Sequence, residues 1–264
     1  MIHRLHPGLL RKPVRVLVVG CGGNGSAVAG GLAYLHQAML VSGHPYGLDV
    51  TIMDGDVISA TNCVRQPFTR YEIGHYKSVV LVSRMNLFWA LNWKAIPQNL
   101  TEGSAMDHPD IVIGCVDSRA ARKVIHVKVT GHESDTSYWL DLGNHATGGQ
   151  FVLGQPWNWR NCRSAMRLRT VAELFPELID SGLDDDDQPS CSAADAIERQ
   201  EPFVNQVLAH HALGLVARLF RYGAIEHNGA FVNLESNRVQ PLAIDSESWK
   251  RIRRRARRPI KQAA

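Results

Sequence analysis

Three glycines with the spacing G-x-G-x-x-G follow a short apolar run near the start of the chain. They are Gly20, Gly22 and Gly25, and the run before them is Val-Leu-Val-Val at residues 16–19. Glycines at such positions permit a tight turn, close approach of the backbone to phosphate groups, and close packing of the next helix on a sheet. That helix would also direct its free N–H groups at an anion. The segment, which includes Gly23, therefore predicts a nucleotide-binding loop.

Acidic side chains follow two further strand-like runs, at residues 49–53 and 111–115. Asp54 and Asp56 come after the first run, and Asp117 comes after the second. If all three runs are parallel strands, their carboxyl ends lie at the same edge of a sheet, where ligands of such folds bind. The glycine loop and these carboxylates should therefore form one site. An acid after the second strand also occurs in NAD-binding domains, so Asp54 alone does not identify the nucleotide.

Residues 54–77 carry the most specific pattern in the chain. They combine Asp-x-Asp, Asn-x-x-Arg-Gln and Ile-Gly-x-x-Lys, in that order. Arginine can fork onto two phosphate oxygens, and lysine can act as a point charge on the same group. We therefore expect Asn62, Arg65 and Lys77 to contact the phosphates of a bound nucleotide. Gln66 would support the loop that carries them.

This pattern resembles the signature of the superfamily that contains ThiF, MoeB and the ubiquitin-activating enzymes. Together with the glycine loop and Cys-Val-Asp-Ser-Arg at residues 115–119, the resemblance covers about residues 14–122. It implies an enzyme that uses ATP and Mg²⁺ to adenylate the C-terminal carboxylate of a small ubiquitin-like or sulfur-carrier protein. In some members a cysteine then captures the acyl group as a thioester. Residues 189–200 and 203–205 resemble the ThiF-family proteins of the PRTRC cassette most closely.

The resemblance implies a role for each site residue. Asp54 would accept hydrogen bonds from the ribose hydroxyls, and Asp117 would bind Mg²⁺, a cation that prefers carboxylate and phosphate oxygens. Asp56 would assist through the metal or by orienting Arg65. The residues expected to bind the nucleotide are Gly20, Gly22, Gly23, Gly25, Asp54, Asp56, Asn62, Arg65, Gln66 and Lys77. The residues expected to act in catalysis are Arg65, Lys77, Asp117 and Cys191.

The five cysteines are scattered along the chain, and one of them has the setting of a nucleophile. Cys191 lies in a polar loop before a predicted helix, and a helix N-terminus lowers the pKa of a thiol. Cys162 is a weaker candidate, whereas Cys21 and Cys115 are expected to be packing residues and Cys63 to be structural. ThiF and MoeB usually carry two Cys-x-x-Cys pairs for a structural zinc. This chain has no such pair, so no structural zinc is expected.

Alternating strand-like and helix-like segments predict the architecture that positions these residues. The predicted strands are 16–19, 49–53, 94–98, 111–115, 137–142 and 151–154. The predicted helices are 25–42, 77–92, 119–129, a short one near 171–178, and 201–222, with residues 57–74 as a loop. Buried stripes at helical spacing are expected at Val28, Leu32, Leu35 and Met39, and at Phe203, Val207, His210, Leu213 (or Gly214) and Ala217.

Repeated strand–helix units with short connections predict an α/β fold. The specific expectation is a Rossmann-like, doubly wound, mainly parallel sheet with an ATP-binding glycine-rich loop and a C-terminal β/helical elaboration. We predict a single domain at 1–245, with a nucleotide half at 14–145 and a C-terminal half at 146–245. A flexible basic tail is predicted at 246–264.

Charge is uneven along the 264 residues, whose formal net charge is +4. Residues 250–261 hold eight basic residues and no acid, so the remainder carries a net charge of −4. Nucleic acid is expected to bind through this tail only, if at all. The lack of an apolar run of 18 residues, and of a signal-peptide core at the start, predicts a soluble cytoplasmic protein without a membrane partner. By resemblance we expect a homodimer, with Arg4 or Arg11 as candidates for completing the partner's ATP site.

Two other functions fit part of the pattern. A NAD-dependent oxidoreductase would explain the glycine loop and Asp54, but it would leave Arg65, Lys77 and Asp117 without roles. A non-catalytic scaffold would keep the nucleotide cavity and bind partners. The intact acidic, amide and basic positions favour the adenylating enzyme over both.

Overall fold

The computed structural model describes residues 1–164, 166–183 and 201–256. Its strands are β1 (His3–Arg4), β2 (Val14–Val19), β3 (Leu48–Met53), β4 (Lys94–Ile96), β5 (Ile111–Gly114), β6 (Tyr138–Asn144), β7 (Gly148–Gly154), β8 (Ala224–Ile225), β9 (His227–Asn233) and β10 (Arg238–Ala243). Its α-helices are α1 (Gly23–Val41), α2 (Asn62–Arg65), α3 (Lys77–Trp89), α4 (Arg119–Val129), α5 (Val171–Leu174), α6 (Val204–Tyr222) and α7 (Ser246–Ala256). No helix within these ranges is both long and apolar enough to cross a bilayer.

Eight of the strands form one mixed sheet in the order β10-β9-β7-β6-β5-β2-β3-β4. From β6 to β4 the neighbouring strands are parallel, whereas β7, β9 and β10 pair antiparallel. All four residues of β5 are buried, as expected for a parallel strand that is covered on both faces. The observed fold is therefore the predicted Rossmann-like, mainly parallel sheet with a C-terminal β/helical elaboration.

Helices α1 and α6 pack against each other, and α6 also packs on β6 and β7. The predicted stripe on α1 is confirmed, because all four of its residues are buried. The predicted stripe on α6 is wrong at Phe203 and His210, which are exposed. The buried residues of α6 are Val204, Asn205, Leu208, Ala209, Ala212, Leu213, Leu215, Val216 and Leu219. Because a second helix and the sheet both cover α6, its buried face is wide, and a helical period alone does not locate it.

After residue 222 the sequence analysis predicted neither the strands β8, β9 and β10 nor the helix α7. Strands β9 and β10 form an antiparallel hairpin at the edge of the sheet. Helix α7 occupies the first part of the segment predicted as a flexible tail. Its Trp249 is 9% exposed and its Ile252 packs against the core, while Lys250 and Arg251 are exposed. Two apolar side chains three residues apart thus anchor a helix where the basic composition had suggested a flexible segment.

Candidate functional site

A cavity of about 1150 Å³ lies at the carboxyl ends of β2, β3, β5 and β6. This is the edge of the sheet at which such folds bind their ligands. The predicted site residues that line this nucleotide cavity are Gly20, Gly22, Gly23, Asp54, Asp56, Asn62, Arg65, Gln66, Lys77 and Asp117. Gly25 lies behind the loop rather than in the cavity wall. Cys191 lies outside the described residues.

The glycine loop turns at Gly20, directly after β2. Its φ of +94° lies in the left-handed region that favours glycine, and a Cβ there would be 2.7 Å from the Cys115 carbonyl oxygen. Gly22 is the N-cap of α1 and has open space around the position of a Cβ. At Gly25 a Cβ would overlap the Gly20 carbonyl oxygen, so this glycine lets α1 pack directly on the turn. Helix α1 therefore begins at the cavity wall, where its first N–H groups can meet an anion.

Asp54 ties the glycine loop to the end of β3. The residue is 6% exposed, and its carboxylate accepts hydrogen bonds from the backbone N–H groups of Cys21 and Asp56, the latter at 2.7 Å. Burial raises the pKa of Asp54, and these two donors offset part of the rise. A carboxylate has about four acceptor positions. Asp54 can therefore hold the loop and still accept a hydrogen bond from a ligand.

Lys77 begins helix α3 and holds a positive charge at the cavity wall. Its side chain is 7% exposed, and Nζ donates a hydrogen bond to Asp56 Oδ2 at 2.8 Å. The Asp56 side chain is 60% exposed, so the acidic partner stays accessible. A buried ammonium is costly without an acceptor. Asp56 supplies that acceptor here, and a phosphate in the cavity could share the role.

Residues 57–76 form a loop that is closed at its base and anchored to the rest of the nucleotide half. Backbone hydrogen bonds at Ile58 close the base, and the side chain of Phe68 is buried. Arg84 of α3 forms an ion pair with Glu72 near the end of the loop. The loop is therefore held against α3 in a fixed position. The site residues that it presents to the cavity are Asn62, Arg65 and Gln66.

Asp117 follows β5 and lines the cavity as an exposed residue. The side chain of Ser118 caps the N-terminus of α4. Arg122, one turn into that helix, donates to the Val116 carbonyl at 2.9 Å and to the Asp141 carboxylate at 2.9 Å. Both side chains of the Arg122–Asp141 pair are buried. Arg122 is thus structural, and it fixes the turn that carries Asp117.

Mg²⁺ is the metal that the resemblance assigns to Asp117. Over the ranges that the structure describes, no group of three or more His, Cys, Asp or Glu side chains could hold a metal ion. Mg²⁺ is commonly held by one or two carboxylates together with substrate phosphates and water. A single exposed carboxylate at the wall of a phosphate-binding cavity therefore fits a metal ion that arrives with its nucleotide.

Four polar residues on the β6 side of the cavity were not predicted. They are Asn24, Asn144, His145 and Asn205. Asn24 Nδ2 donates to Asn144 Oδ1 at 2.8 Å. Asn205, near the start of α6, lies so close to Gly23 that a Cβ on that glycine would overlap its side-chain amide. No motif of fixed spacing joins residues so far apart in sequence, so only the fold could reveal this amide-lined end of the cavity.

The described cysteines have no features of a nucleophile. Cys21 and Cys115 are buried, and burial raises the pKa of both thiols, which opposes formation of the reactive thiolate. Their predicted packing roles agree with this placement. Cys63 and Cys162 are partly buried, and each thiol donates a long hydrogen bond to a backbone carbonyl, at 3.6 Å and 3.5 Å. The role predicted for Cys191 stays a prediction.

Comparison with protein families gives a match that spans both halves of the fold. The ThiF family matches residues 10–242, a range that includes every cavity-lining residue named above. The chain belongs to the ThiF family. The match does not separate the branches of the ThiF family, so membership of the PRTRC branch stays a prediction.

Solved structures with a similar fold include E. coli MccB and a second protein, PaaA. MccB is 16% identical over 89% of this chain with a TM-score of 0.59, and PaaA is 14% identical over 87% with a TM-score of 0.58. A structure of E. coli MccB with ATP is 16% identical over 89% of the chain, with a TM-score of 0.56. This chain spans 63% of MccB and 64% of PaaA, and 65% of MccB in the structure with ATP. At these identities the likeness shows a shared ThiF-type fold. No curated protein sequence matches the chain.

Proposed function

We propose that this ThiF-family chain uses ATP and Mg²⁺ to adenylate the C-terminal carboxylate of a small ubiquitin-like or sulfur-carrier protein. The observation that carries the proposal is that residues of the 54–77 pattern, the glycine loop and Asp117 all line one cavity. A dinucleotide-binding domain would use the glycine loop and Asp54. It would have no comparable use for Arg65 and Lys77, which suit a triphosphate.

In this proposal each side of the cavity contacts a different part of ATP. The N-terminus of α1 and the glycine loop take phosphate oxygens through backbone N–H groups. Asp54, held at the end of β3, accepts hydrogen bonds from the ribose. Lys77 and Arg65 neutralise phosphate charge from the β3 side. The structure of MccB with ATP supports nucleotide binding by this fold.

The reaction is an in-line displacement at the α-phosphorus. A carboxylate oxygen of the carrier forms the new bond, the bond from the α-phosphorus to the bridging oxygen breaks, and pyrophosphate leaves with that electron pair. The product is an acyl-adenylate, and no proton transfer is required because the attacking carboxylate is ionised. Arg65 and Lys77 stabilise the charge that develops on the phosphate oxygens. Mg²⁺ bound at Asp117 would supply further charge neutralisation on the phosphates.

The carrier would approach through the amide-lined end of the cavity. Side-chain amides donate and accept hydrogen bonds without charge, so Asn24, Asn144 and Asn205 suit the backbone of an extended chain terminus. The cavity of about 1150 Å³ also exceeds the roughly 300–1,000 Å³ of ordinary small-molecule sites. A solved structure of E. coli MccB together with MccA supports the binding of a second molecule by this fold. Transfer of the acyl group to Cys191 is a further prediction from the sequence, outside the residues that the structure describes.

The experiment that tests the proposal is exchange of labelled pyrophosphate into ATP. It is run with a set of small ubiquitin-like and sulfur-carrier proteins, each with a free C-terminal carboxylate and each with that carboxylate amidated. We expect exchange that requires Mg²⁺ and the free carboxylate. Asp117→Asn should reduce the rate at least about 10²-fold, the usual scale for a lost electrostatic stabiliser, whereas Asp107→Asn, at an exposed aspartate outside the cavity, should not.

Failure of the reaction and failure of nucleotide binding are separable in this design. Tight ATP–Mg²⁺ binding without exchange for any carrier would make the chain a nucleotide-binding scaffold. Exchange with the amidated carriers would contradict attack by the C-terminal carboxylate. Full exchange in Asp117→Asn would contradict the role assigned to Asp117.

A further inference from the structure

A second cavity lies at the opposite edge of the sheet from the nucleotide cavity. Its volume is about 380 Å³, and Ser137 and Tyr138 line it at the start of β6. Asn144, at the other end of the same strand, lines the nucleotide cavity. One wall of the second cavity is the segment 2–7, which pairing of β1 with β8 holds in place. The volume lies within the roughly 300–1,000 Å³ typical of small-molecule sites.

The described lining of the second cavity is basic and polar, and it contains no carboxylate. Its polar side chains include His3, Arg4, His6, Gln155, Arg160 and Asn161. Leu5, Pro7 and Met166 add apolar surface. A cavity with arginine and no acid favours an anion, and the apolar wall favours an organic body attached to it.

His3 and Tyr138 are already paired and form a fixed part of the wall. His3 Nε2 lies 2.8 Å from the Tyr138 hydroxyl. Burial lowers the pKa of His3 to about 4, although a hydrogen bond to the backbone of Met166 acts in the opposite direction. The His3 ring is therefore neutral at pH 7. An anion in this cavity must be held by other groups.

Two donors at the wall have no hydrogen-bond partner among the described residues. They are the Nε–H of Arg160 and the hydroxyl of Ser137, a residue that is 1% exposed. Arg160 meets Asp135 only at 3.9 Å through Nη2, and the other oxygen of that carboxylate lies 3.2 Å from His108. The guanidinium also lies 5.5 Å from the ring centroid of Trp159. Buried donors without acceptors are costly and rare, and an oxyanion would supply the missing acceptors.

We propose that the second cavity binds a small organic molecule with one oxyanion group, and that Arg160 is the anchor for that group. Carboxylate and phosphate oxygens both accept the two parallel hydrogen bonds that a guanidinium offers. Ser137 gives the ligand a further donor, and the apolar side chains contact its organic part. The inference goes beyond the proposed adenylation and does not depend on it, because the two cavities share no lining residue.

The test is calorimetric titration of the whole protein with benzoate, which carries a carboxylate, and with phenyl phosphate, which carries a phosphate. Comparing the two shows which oxyanion the cavity prefers. Benzamide serves as the neutral counterpart. We expect saturable binding of at least one acid with a Kd below about 1 mM, which is ordinary for a ligand of this size. Arg160→Gln should raise that Kd at least about tenfold, the scale of a charge-assisted pair. Arg163→Gln, at an exposed arginine outside the lining, should leave it unchanged.

Ser137→Ala is the second variant, because Arg160→Gln also removes the contact with Asp135. It changes no charge, and we expect it to weaken binding of the acid about three- to tenfold without lowering Tm, since it deletes an unpartnered hydroxyl. The proposal is overturned if neither acid binds saturably, if benzamide binds as tightly as the acids, or if Arg160→Gln and Ser137→Ala both bind the acid like the wild type. Displacement of the acid by ATP–Mg²⁺ also overturns it, because the acid would then occupy the nucleotide cavity.

Discussion

Lys77 carries a charge that is mostly buried and has one exposed acidic partner. Its Nζ lies 2.8 Å from Asp56 Oδ2, so the charge is compensated before any nucleotide is present. Arg65 comes from a loop that is tied down at both its base and its end. Both cations are thus placed before the substrate arrives, which is the condition for strong electrostatic stabilisation of a transition state.

The first prediction follows from this placement. Arg65→Ala and Lys77→Ala should each slow pyrophosphate exchange by a factor on the order of 10² to 10³, the usual scale for one preorganised stabiliser. Arg70→Ala, an exposed arginine in the same loop, is the matched control and should exchange like the wild type. Equal rates in Arg65→Ala and Arg70→Ala would show that Arg65 does not act on the phosphates.

The second prediction concerns the contact between Gly23 and Asn205. A Cβ on Gly23 would overlap the Asn205 amide, whereas a Cβ on Gly25 would overlap a backbone oxygen of Gly20. A side chain can rotate away but the backbone turn cannot. We therefore expect Gly23→Ala to cost about 1 kcal/mol and Gly25→Ala about 3 kcal/mol or more, the two ends of the range for overpacking.

Urea unfolding measures both variants, and a double mutant isolates the contact. Asn205→Ala should remove most of the cost of Gly23→Ala and none of the cost of Gly25→Ala. If the cost of Gly23→Ala were unchanged in the double mutant, the amide-lined end of the cavity would not be packed as described.

At the scale of elements, the short helix α5 depends on one carboxylate. Glu173 forms a capping box with Thr170, and it pairs with Arg167 and, at 2.8 Å, with Arg169. Burial alone would raise the pKa of Glu173, but the hydrogen bond from Arg167 and the Thr170 N–H outweigh it and lower the pKa to about 2. Because the folded-state pKa is depressed, the carboxylate stabilises the fold above its unfolded pKa, near 4.5, and this contribution disappears as the pH falls toward 2.

The third prediction is the pH dependence of that contribution. Glu173→Gln should lower the free energy of unfolding by about 1–3 kcal/mol at pH 7, and the difference from wild type should shrink steadily between pH 4.5 and pH 2. Urea unfolding over this range measures it, with Glu235→Gln at an exposed position as the control. A difference that is constant with pH would mean that the ion pairs of Glu173 do not stabilise the fold.

The parallel strands and their helices were predictable because each carries a local signal. Helix α4 has the predicted bounds, and its capping residue, Ser118, directly precedes it in the sequence. The hairpin of β9 and β10 was missed because β10 is mostly exposed and contains Pro241. Proline is tolerated on an edge strand, and β10 is the edge of the sheet, but this location is known only once the strand order is known.

The site residues likewise fall into two groups, those in short sequence motifs and those that only the fold brings together. The glycine loop and the 54–77 pattern lie in short stretches of fixed spacing, so the sequence located them. Asn144 and Asn205 reach the same cavity from the end of β6 and the start of α6, and no motif in the sequence predicts that their side chains meet there. The buried face of α6 was predicted wrongly at two residues for a related reason, because which residues of α6 are buried depends on how α1 packs against it.

At the scale of the whole molecule, the two cavities lie at opposite ends of the parallel strands. An exposed aromatic surface lies on the nucleotide half. Tyr34 of α1 and Phe88 of α3 are 65% and 78% exposed, and both rings contact Trp89, with centroids 4.9 Å and 5.2 Å from it. Exposed apolar surface of this kind often marks a protein interface.

The fourth prediction is that the chain forms a homodimer through this surface. Light scattering at micromolar concentration should give about twice the chain mass of 29.3 kDa, because symmetric dimers are the commonest assembly of soluble chains. Phe88→Glu should shift the mass toward the monomer, whereas Phe203→Glu, at the exposed residue just before α6, should not. A wild-type monomer with intact exchange activity would defeat the dimer and its interface together.

The central claim is that the cavity at the carboxyl ends of the strands is an ATP–Mg²⁺ site. Calorimetric titration of the whole protein with ATP–Mg²⁺ and with NAD⁺ tests it most directly. We expect one ATP per chain, NAD⁺ binding at least about 100-fold weaker, and a loss of ATP affinity of at least about tenfold in Arg65→Ala, because a guanidinium–phosphate pair is charge-assisted. NAD⁺ binding as tight as that of ATP, or unchanged ATP affinity in Arg65→Ala, would contradict the account.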